Sequence, residues 1–251
     1  MFTIIKRYFI LIFLVVACKT STIVNKETTV YPLNKPGYTA VDSSILKLYA
    51  PYKVKIDSLM NRVIIISDMD MVKNTPEGLL GNITTDATLL QVNAVYSEKK
   101  QPVDFCFMNN GGLRASLPKG EITVGNIYTL MPFDNEAVVL TLSGETTEKL
   151  LNFIAQKGGM PVSGLQMKTN DSIASDVFIK GVPFSRNKNY VVVTSDYLAN
   201  GGDNLGFLSE NLGVVNTGLK IRDLIIKEFE ERNKRGETLK AKIEGRIIHV
   251  E

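Results

Sequence analysis

A chain of 251 residues, 44% of them hydrophobic, holds enough material for one large domain or two small ones around a buried core. Its 29 basic and 26 acidic residues leave a net charge of +3, so bulk electrostatics selects no partner. The chain has no tryptophan and its aromatics are not interleaved with arginine, which argues against a nucleic-acid partner.

Lys6 and Arg7 precede an apolar run, Tyr8–Ala17, that is too short to span a bilayer as a mature helix and has the layout of a secretory signal. The run ends Val15-Val16-Ala17-Cys18, which resembles a bacterial lipobox. On that reading residues 1–17 are a lipoprotein signal peptide and Cys18 is the lipidated N-terminus. Several acyl chains would bury methylene groups at about 0.8 kcal/mol each, enough for stable membrane anchoring. The expected location is the bacterial cell envelope, with the outer membrane as destination. A signal-anchor with an incidental cysteine is the open alternative. Residues 18–40 are rich in Ser, Thr, Asn and Lys with two prolines, and read as a flexible tether ahead of a domain over 41–251.

Asp42 is placed to cap a helix carrying Ile45, Leu46, Leu48 and Tyr49 on one side. Pro51 is expected to bend or interrupt it before it resumes toward Leu59 and Met60. Val63–Ile66, four β-branched residues, predicts a strand, and Leu80, Ile83, Ala87, Leu90 and Ala94 give helical spacing over 81–96. Val103–Met108 predicts a buried strand. Its thiol, Cys106, is expected to be inert, without a disulfide partner once Cys18 is lipidated. Strands follow at Val138–Leu142 and Tyr190–Thr194, and helices at Gly144–Ala155 and Thr217–Lys234. Gln166–Lys168 and Val177–Ile179 read as a short antiparallel pair, and Arg246–Val250 as a strand that closes a sheet. The charged stretch Lys227–Lys242 reads as a solvated helix face. Helices alternate with strands apolar enough to be covered on both faces, so the fold class is α/β in a single domain.

Two glycine-bearing segments carry most of the functional information: Asn109-Asn110-Gly111-Gly112-Leu113-Arg114 and Tyr197-Leu198-Ala199-Asn200-Gly201-Gly202-Asp203. Each follows a predicted strand, and paired glycines permit turns closed to bulkier residues. A nucleotide needs aromatic faces for its base, an acceptor for its ribose hydroxyls, and cations or amides for its phosphate. Stacking on one ring contributes about 1–3 kcal/mol with little preference among bases. Each residue has a plainer role open to it: Phe133 as core, Asp203 as a turn acid, Arg114 as a surface cation.

Together with Met131-Pro132-Phe133 and Leu79-Leu80-Gly81-Asn82, these segments resemble the C-terminal domain of the 5′-nucleotidases, the family of bacterial periplasmic UDP-sugar hydrolases and animal ecto-5′-nucleotidases. The resemblance covers roughly Val41 to the C-terminus. It implies a layered α/β sandwich in which Phe133 and Tyr197 stack on the two faces of a base. It further implies that Asn109 lines the base pocket, Asp203 takes the ribose and Arg114 faces the phosphate. Gly111, Gly112, Gly201 and Gly202 would supply close backbone approach. Two positions depart from the family. Its phosphate-binding arginine, seven residues before the glycine of the helix start, is Asn74 here, with Lys73 beside it supplying charge without a bidentate grip. Asn110 stands where the family's Asn-Gly-Gly-Gly has its first glycine.

The family's hydrolytic metals sit in a separate N-terminal domain, which nothing in this chain resembles. A two-metal centre needs several ligands that hold the ions about 3.5–4 Å apart. The chain has one histidine, His249, which reads as a strand or surface residue. No metal or other cofactor is therefore expected here, and divalent metals are expected only in a partner. The resulting expectation is the nucleoside- or nucleotide-binding half of a 5′-nucleotidase-type phosphoester hydrolase, inactive alone and completed by a separately encoded metallophosphatase. A non-catalytic nucleoside-binding envelope lipoprotein and an unrelated structural role at the envelope remain open. So does a haloacid-dehalogenase-like phosphatase, whose first motif the stretch 63–72 resembles, with Asp68 as nucleophile and Asp70 as general acid. Asp196 and Asp203 make no convincing version of the acidic motif that chemistry also needs.

Overall fold

The computed structural model describes residue 29 and residues 43–96, 102–170 and 172–250. The signal segment, Cys18, most of the tether and Asp42 lie outside the described residues. Ala50 closes one compact unit, and Pro51–Glu251 forms another that contains all the sheets.

The described strands in chain order are β1 (Val63–Ser67), β2 (Phe105–Phe107), β3 (Gly120–Thr123), β4 (Glu136–Leu142), β5 (Val162–Ser163) and β6 (Leu165–Thr169). They continue with β7 (Ala174–Ile179), β8 (Val182–Pro183), β9 (Tyr190–Ser195), β10 (Gly213–Lys220) and β11 (Ile247–His249). A five-stranded sheet runs β10-β4-β9-β2-β5, with β9 at its centre and buried along its whole length. The period-2 geometry of a strand splits its apolar residues between two faces. Cys106, Val139, Val191 and Val193 join one core with helices Leu79–Tyr96 and Ile221–Lys234 and the β1–β3 pair. Phe105, Phe107, Val138, Leu140 and Val192 join the other, against helix Gly144–Gln156 and the four-stranded sheet β11-β6-β7-β8. The expected layered α/β sandwich follows from this two-sided burial. Cys106 is fully buried and unpaired, and burial pushes its thiol pKa up, as an inert core cysteine requires.

Three expectations need correction. The helix Ser43–Met60 is continuous, with Pro51 inside it. The missing N–H removes one backbone bond, and the flanking turns carry the helix across it. None of its residues is buried, and Ile45, Leu46, Leu48 and Tyr49 are exposed. Second, the helix predicted to start at Thr217 starts at Ile221, because 217–220 belong to β10. Thr217 Oγ1 donates to the Ala137 carbonyl at 2.7 Å, and Gly218 turns left-handed at φ 69° where the β10–β4 register shifts. Third, β2 is shorter than the predicted Val103–Met108, although its flanks stay bonded: Asp104 N–H to the Val191 carbonyl and Met108 N–H to that of Pro161. Ile247–His249 does close a sheet, parallel to β6. No helix among the described residues is long and apolar enough to cross a membrane.

Candidate functional site

Strand register gathers three loops at one end of the central sheet. Ala137 faces Ser195 across the antiparallel β4–β9 pair, so the chain enters β4 at the end where it leaves β9. β2 runs parallel to β9, with Cys106 opposite Val193, and leaves at that same end. Residues 109–114, 131–135 and 196–204 therefore share one edge, at the carboxyl ends of two parallel strands, where α/β sheets bind ligands.

The first cluster on this edge joins Asn109, Tyr197 and Asp203. Ser195 caps the short helix Asp196–Ala199 by accepting the Leu198 N–H at 3.2 Å, which buries Leu198 and leaves Tyr197 47% exposed. The Asp203 carboxylate accepts from Asn109 Nδ2 at 2.6 Å and from the Tyr197 hydroxyl at 2.8 Å. That hydroxyl also accepts the Asp203 N–H at 3.3 Å. Its bond to the carboxylate pushes the phenol pKa above the ordinary tyrosine value. Two of the glycines serve this cluster directly. A Cβ on Gly202 would lie 2.6 Å from the Tyr197 ring, and one on Gly112 would lie 2.9 Å from Asn109 Oδ1. The close approaches they permit are to the site's own side chains. Gly201, at φ 91°, makes the turn between Tyr197 and Asp203. Gly111 sits in the single turn of 3-10 helix after Asn109.

The second cluster carries the cations and the other ring. Lys73 Nζ donates to the Leu113 carbonyl at 3.3 Å, which brings Lys73 beside Arg114. The Arg114 N–H donates to the Leu130 carbonyl at 2.8 Å, and its guanidinium to the Gly111 carbonyl at 3.4 Å. Neither cation is in an ion pair among the described residues. Phe133 follows, 51% exposed, and its ring contacts no other aromatic among the described residues. The residues singled out for a nucleoside pocket thus lie on the loops of this one edge, with Lys73 tied to it through Leu113, and Phe133 and Tyr197 stand on adjoining loops.

Two supporting features were not foreseen. Arg222, nearly buried at the start of helix Ile221–Lys234, donates to the carbonyls of Met131 at 3.2 Å and Phe133 at 3.5 Å and pairs with the Asp134 carboxylate. Its guanidinium lies 3.9 Å from the centre of the Tyr128 ring. Lys220 first, and Arg222 second, hold the Asp134 carboxyl below the usual carboxylate range. No local pattern links Arg222 to a loop some ninety residues upstream. The second feature is a cavity of about 190 Å³ in which Asn109 and Asp203 face Phe153, Lys157, Gly159 and Met160.

Other motifs have structural explanations. Asn82, at the helix start, clasps the C-terminal segment: its Nδ2 donates to Glu77 at 2.6 Å and to the Lys242 carbonyl at 3.0 Å. A Cβ on Gly81 would lie 3.1 Å from Pro161, so the helix packs tightly there. Asp68 accepts from Thr238 at 3.0 Å and pairs with Lys240 at 3.1 Å, while Asp70 accepts the Lys119 N–H at 2.8 Å. The strand ahead of them, β1, pairs antiparallel with β3 in a two-stranded sheet outside the central one, and its last residue, Ser67, bridges in parallel to Leu239. Both carboxylates brace loops. His249 lies in β11. Among the described residues no group of three His, Cys, Asp or Glu side chains is placed to hold a metal ion.

The family model described as 5′-nucleotidase, C-terminal domain, matches residues 58–210. A 5′-nucleotidase of Vibrio vulnificus is 29% identical over 217 residues, 83% of this chain and 38% of the relative. Protein UshA of Escherichia coli is 32% identical over 120 residues, covering 46% of this chain and 22% of the relative. Among solved structures, a 5′-nucleotidase precursor from Thermus thermophilus superposes with a TM-score of 0.68 at 29% identity, covering 83% of this chain and 43% of that one. Haemophilus influenzae NAD nucleotidase shares the fold, with a TM-score of 0.62 at 20% identity, covering 84% of this chain and 42% of that one. The chain thus spans about two-fifths of the length of the Vibrio vulnificus and Thermus thermophilus 5′-nucleotidases.

Proposed function

Because the chain belongs to the 5′-nucleotidase C-terminal domain family, we propose that its three-loop edge binds a nucleoside or nucleotide for phosphoester hydrolysis in nucleotide catabolism. Phe133 and Tyr197 supply the stacking faces, Asn109 the base edge, Asp203 the ribose acceptor, and Arg114 with Lys73 the charge for a phosphate. One observation carries this reading: a carboxylate fixed by Asn109 and Tyr197 stands on the same edge as two half-exposed rings. An ionised carboxylate has about four acceptor sites, and protein donors fill two on Asp203. Two ribose hydroxyls match the remainder.

Cleavage is assigned to a separately encoded metallophosphatase. Metal-assisted hydrolysis needs a ligand set that the described residues do not assemble, and no bond-breaking step is assigned to this chain. Cys18 carries the lipid anchor that holds the protein at the cell envelope, the outer membrane being the proposed site. Incorporation of radiolabelled palmitate, lost in Cys18→Ser, tests that anchor.

The test of the divided enzyme mixes this chain with a metallophosphatase chain from the same cell and follows phosphate release from AMP. Release should require both chains. Hydrolysis by this chain alone, or by the partner at the same rate without it, overturns the division of labour. Nucleoside binding without any gain in release points to the non-catalytic binding lipoprotein instead.

A further inference from the structure

Both glycine-bearing segments of the three-loop edge contain an Asn-Gly pair, Asn110-Gly111 and Asn200-Gly201, and the sequence holds no others. Such a pair can react with itself, because a glycine nitrogen has no Cβ beside it to block its approach to the asparagine side chain. At the first pair, a bond forms between the Gly111 nitrogen and Asn110 Cγ while the bond from Cγ to Nδ2 breaks. The side-chain nitrogen leaves as ammonia, taking up a proton in place of the one the backbone amide gives up. Water then opens the cyclic imide at either carbonyl and leaves isoaspartate or aspartate. The conversion consumes water, releases ammonia and needs no oxidant or cofactor.

The two pairs are held differently. Ring closure requires the asparagine–glycine peptide to swing away from its helical ψ. At Asn200, where ψ is 14°, the Gly201 N–H donates to the Leu198 carbonyl at 3.0 Å. The swing breaks that bond and disturbs the left-handed Gly201. At Asn110 the nucleophile is unengaged: Gly111 is exposed, and its N–H has no acceptor among the described residues. The bonds that hold this turn are long. The Leu113 N–H reaches the Asn110 carbonyl at 3.3 Å and Asn110 Nδ2 the Gly159 carbonyl at 3.4 Å, against the usual length of about 2.9 Å.

We propose that Asn110-Gly111 is a self-modification site whose conversion to isoaspartate or aspartate ends ligand binding at the three-loop edge. The loss of binding rests on the nucleoside reading above; the modification does not. Isoaspartate adds a methylene to the backbone beside Gly112, which is already so close to Asn109 that a Cβ on it would lie 2.9 Å from Oδ1. Lengthening the chain there moves Asn109 off the Asp203 carboxylate that it holds at 2.6 Å. The aspartate product instead places a second carboxylate in the cavity that Asn110 and Asp203 share.

The full chain is aged at physiological temperature at neutral and at mildly alkaline pH, then mapped by peptide mass spectrometry with fragmentation that separates isoaspartate from aspartate. Conversion at Asn110 should run about fivefold faster than at Asn200, the rate equivalent of one net hydrogen bond. It should quicken at the higher pH, because the attacking nitrogen must lose its proton. Gly111→Ala should lose most of it; a Cβ there meets only Asn109 Nδ2, at 3.4 Å, so this variant keeps the fold. Calorimetric titration with adenosine before and after ageing should show binding sites lost from wild type in proportion to conversion and retained in Asn110→Gln. Absence of conversion at Asn110, or conversion at Asn200 as fast or faster, overturns the site. Conversion at Asn110 with undiminished adenosine binding overturns its effect. If fresh wild type binds no nucleoside, the nucleoside reading falls and the claimed loss of binding with it, while the mass map still decides the modification.

Discussion

Two carboxylate clusters in this molecule look alike as bonding patterns and differ in what they leave over. At the clasp, Glu77 accepts from the Asn82 amide and from the N–H groups of Glu244 and Arg246, all within 2.9 Å. Arg246 there grips Asp86 with two bonds of 2.8 Å and also reaches Glu244 and the Val162 carbonyl. Glu77 is buried, and every partner is protein. At the three-loop edge, Asp203 holds an asparagine amide and a tyrosine hydroxyl in the same manner, yet half its acceptor capacity faces outward. Asparagine-to-carboxylate pairing therefore marks a structural lock in one place and, on the proposed function, a ligand platform in the other. Exposure and spare acceptors separate the two roles, and neither is written in the residue types.

The sharpest way to break this contrast is at the lock. Glu77→Ala strands three donors at once, and urea unfolding should show a loss of about 3 kcal/mol, since each unsatisfied buried group costs roughly 1–3 kcal/mol. Adenosine affinity of the folded fraction should not change. Asp203→Asn tests the opposite end: affinity should fall about 10- to 100-fold, because a hydrogen bond to a charged acceptor contributes roughly 1.5–3 kcal/mol. Its unfolding midpoint should stay close to wild type. Equal effects of the two substitutions on stability would erase the distinction between lock and platform.

Arg222→Lys sits between these cases. Lysine keeps the charge and loses the planar fork that spans Met131, Phe133 and Asp134. A several-fold loss of adenosine affinity is expected, together with a smaller loss of stability than at Glu77. The mildest effect concerns pH. The Asp134 carboxyl is held below its ordinary value of 3.8 by Lys220 and Arg222, so its ionised form favours the folded state. That contribution is complete above pH ~4 and is lost as pH falls through the folded-state value. Acid unfolding of Asp134→Asn should lack this component.

Much of this fold was legible because its strands are apolar runs with sharp ends. Tyr190–Thr194 and Val138–Leu142 could be placed within a residue or two, and their burial on both faces dictates the layers. The misplaced start of the last long helix shows the limit. Thr217–Lys220 fits helical spacing equally well, and the deciding facts are a bond to Ala137 and a left-handed Gly218, both tertiary. In the site, the glycine turns and the Met-Pro-Phe segment were readable as motifs. Arg222 was not: a charged residue in a helix reads as solvated until the chain's path shows what it faces. Pro51 erred the other way, since a local rule exaggerates what one lost backbone bond does to a helix.

The account depends most on Phe133 and Tyr197 receiving a base between them. Calorimetric titration of adenosine into wild type, Phe133→Ala and Tyr197→Ala measures this directly. Micromolar binding in wild type, weakened roughly tenfold or more by each loss of a ring, is the predicted result. Unchanged affinity in both variants would contradict it.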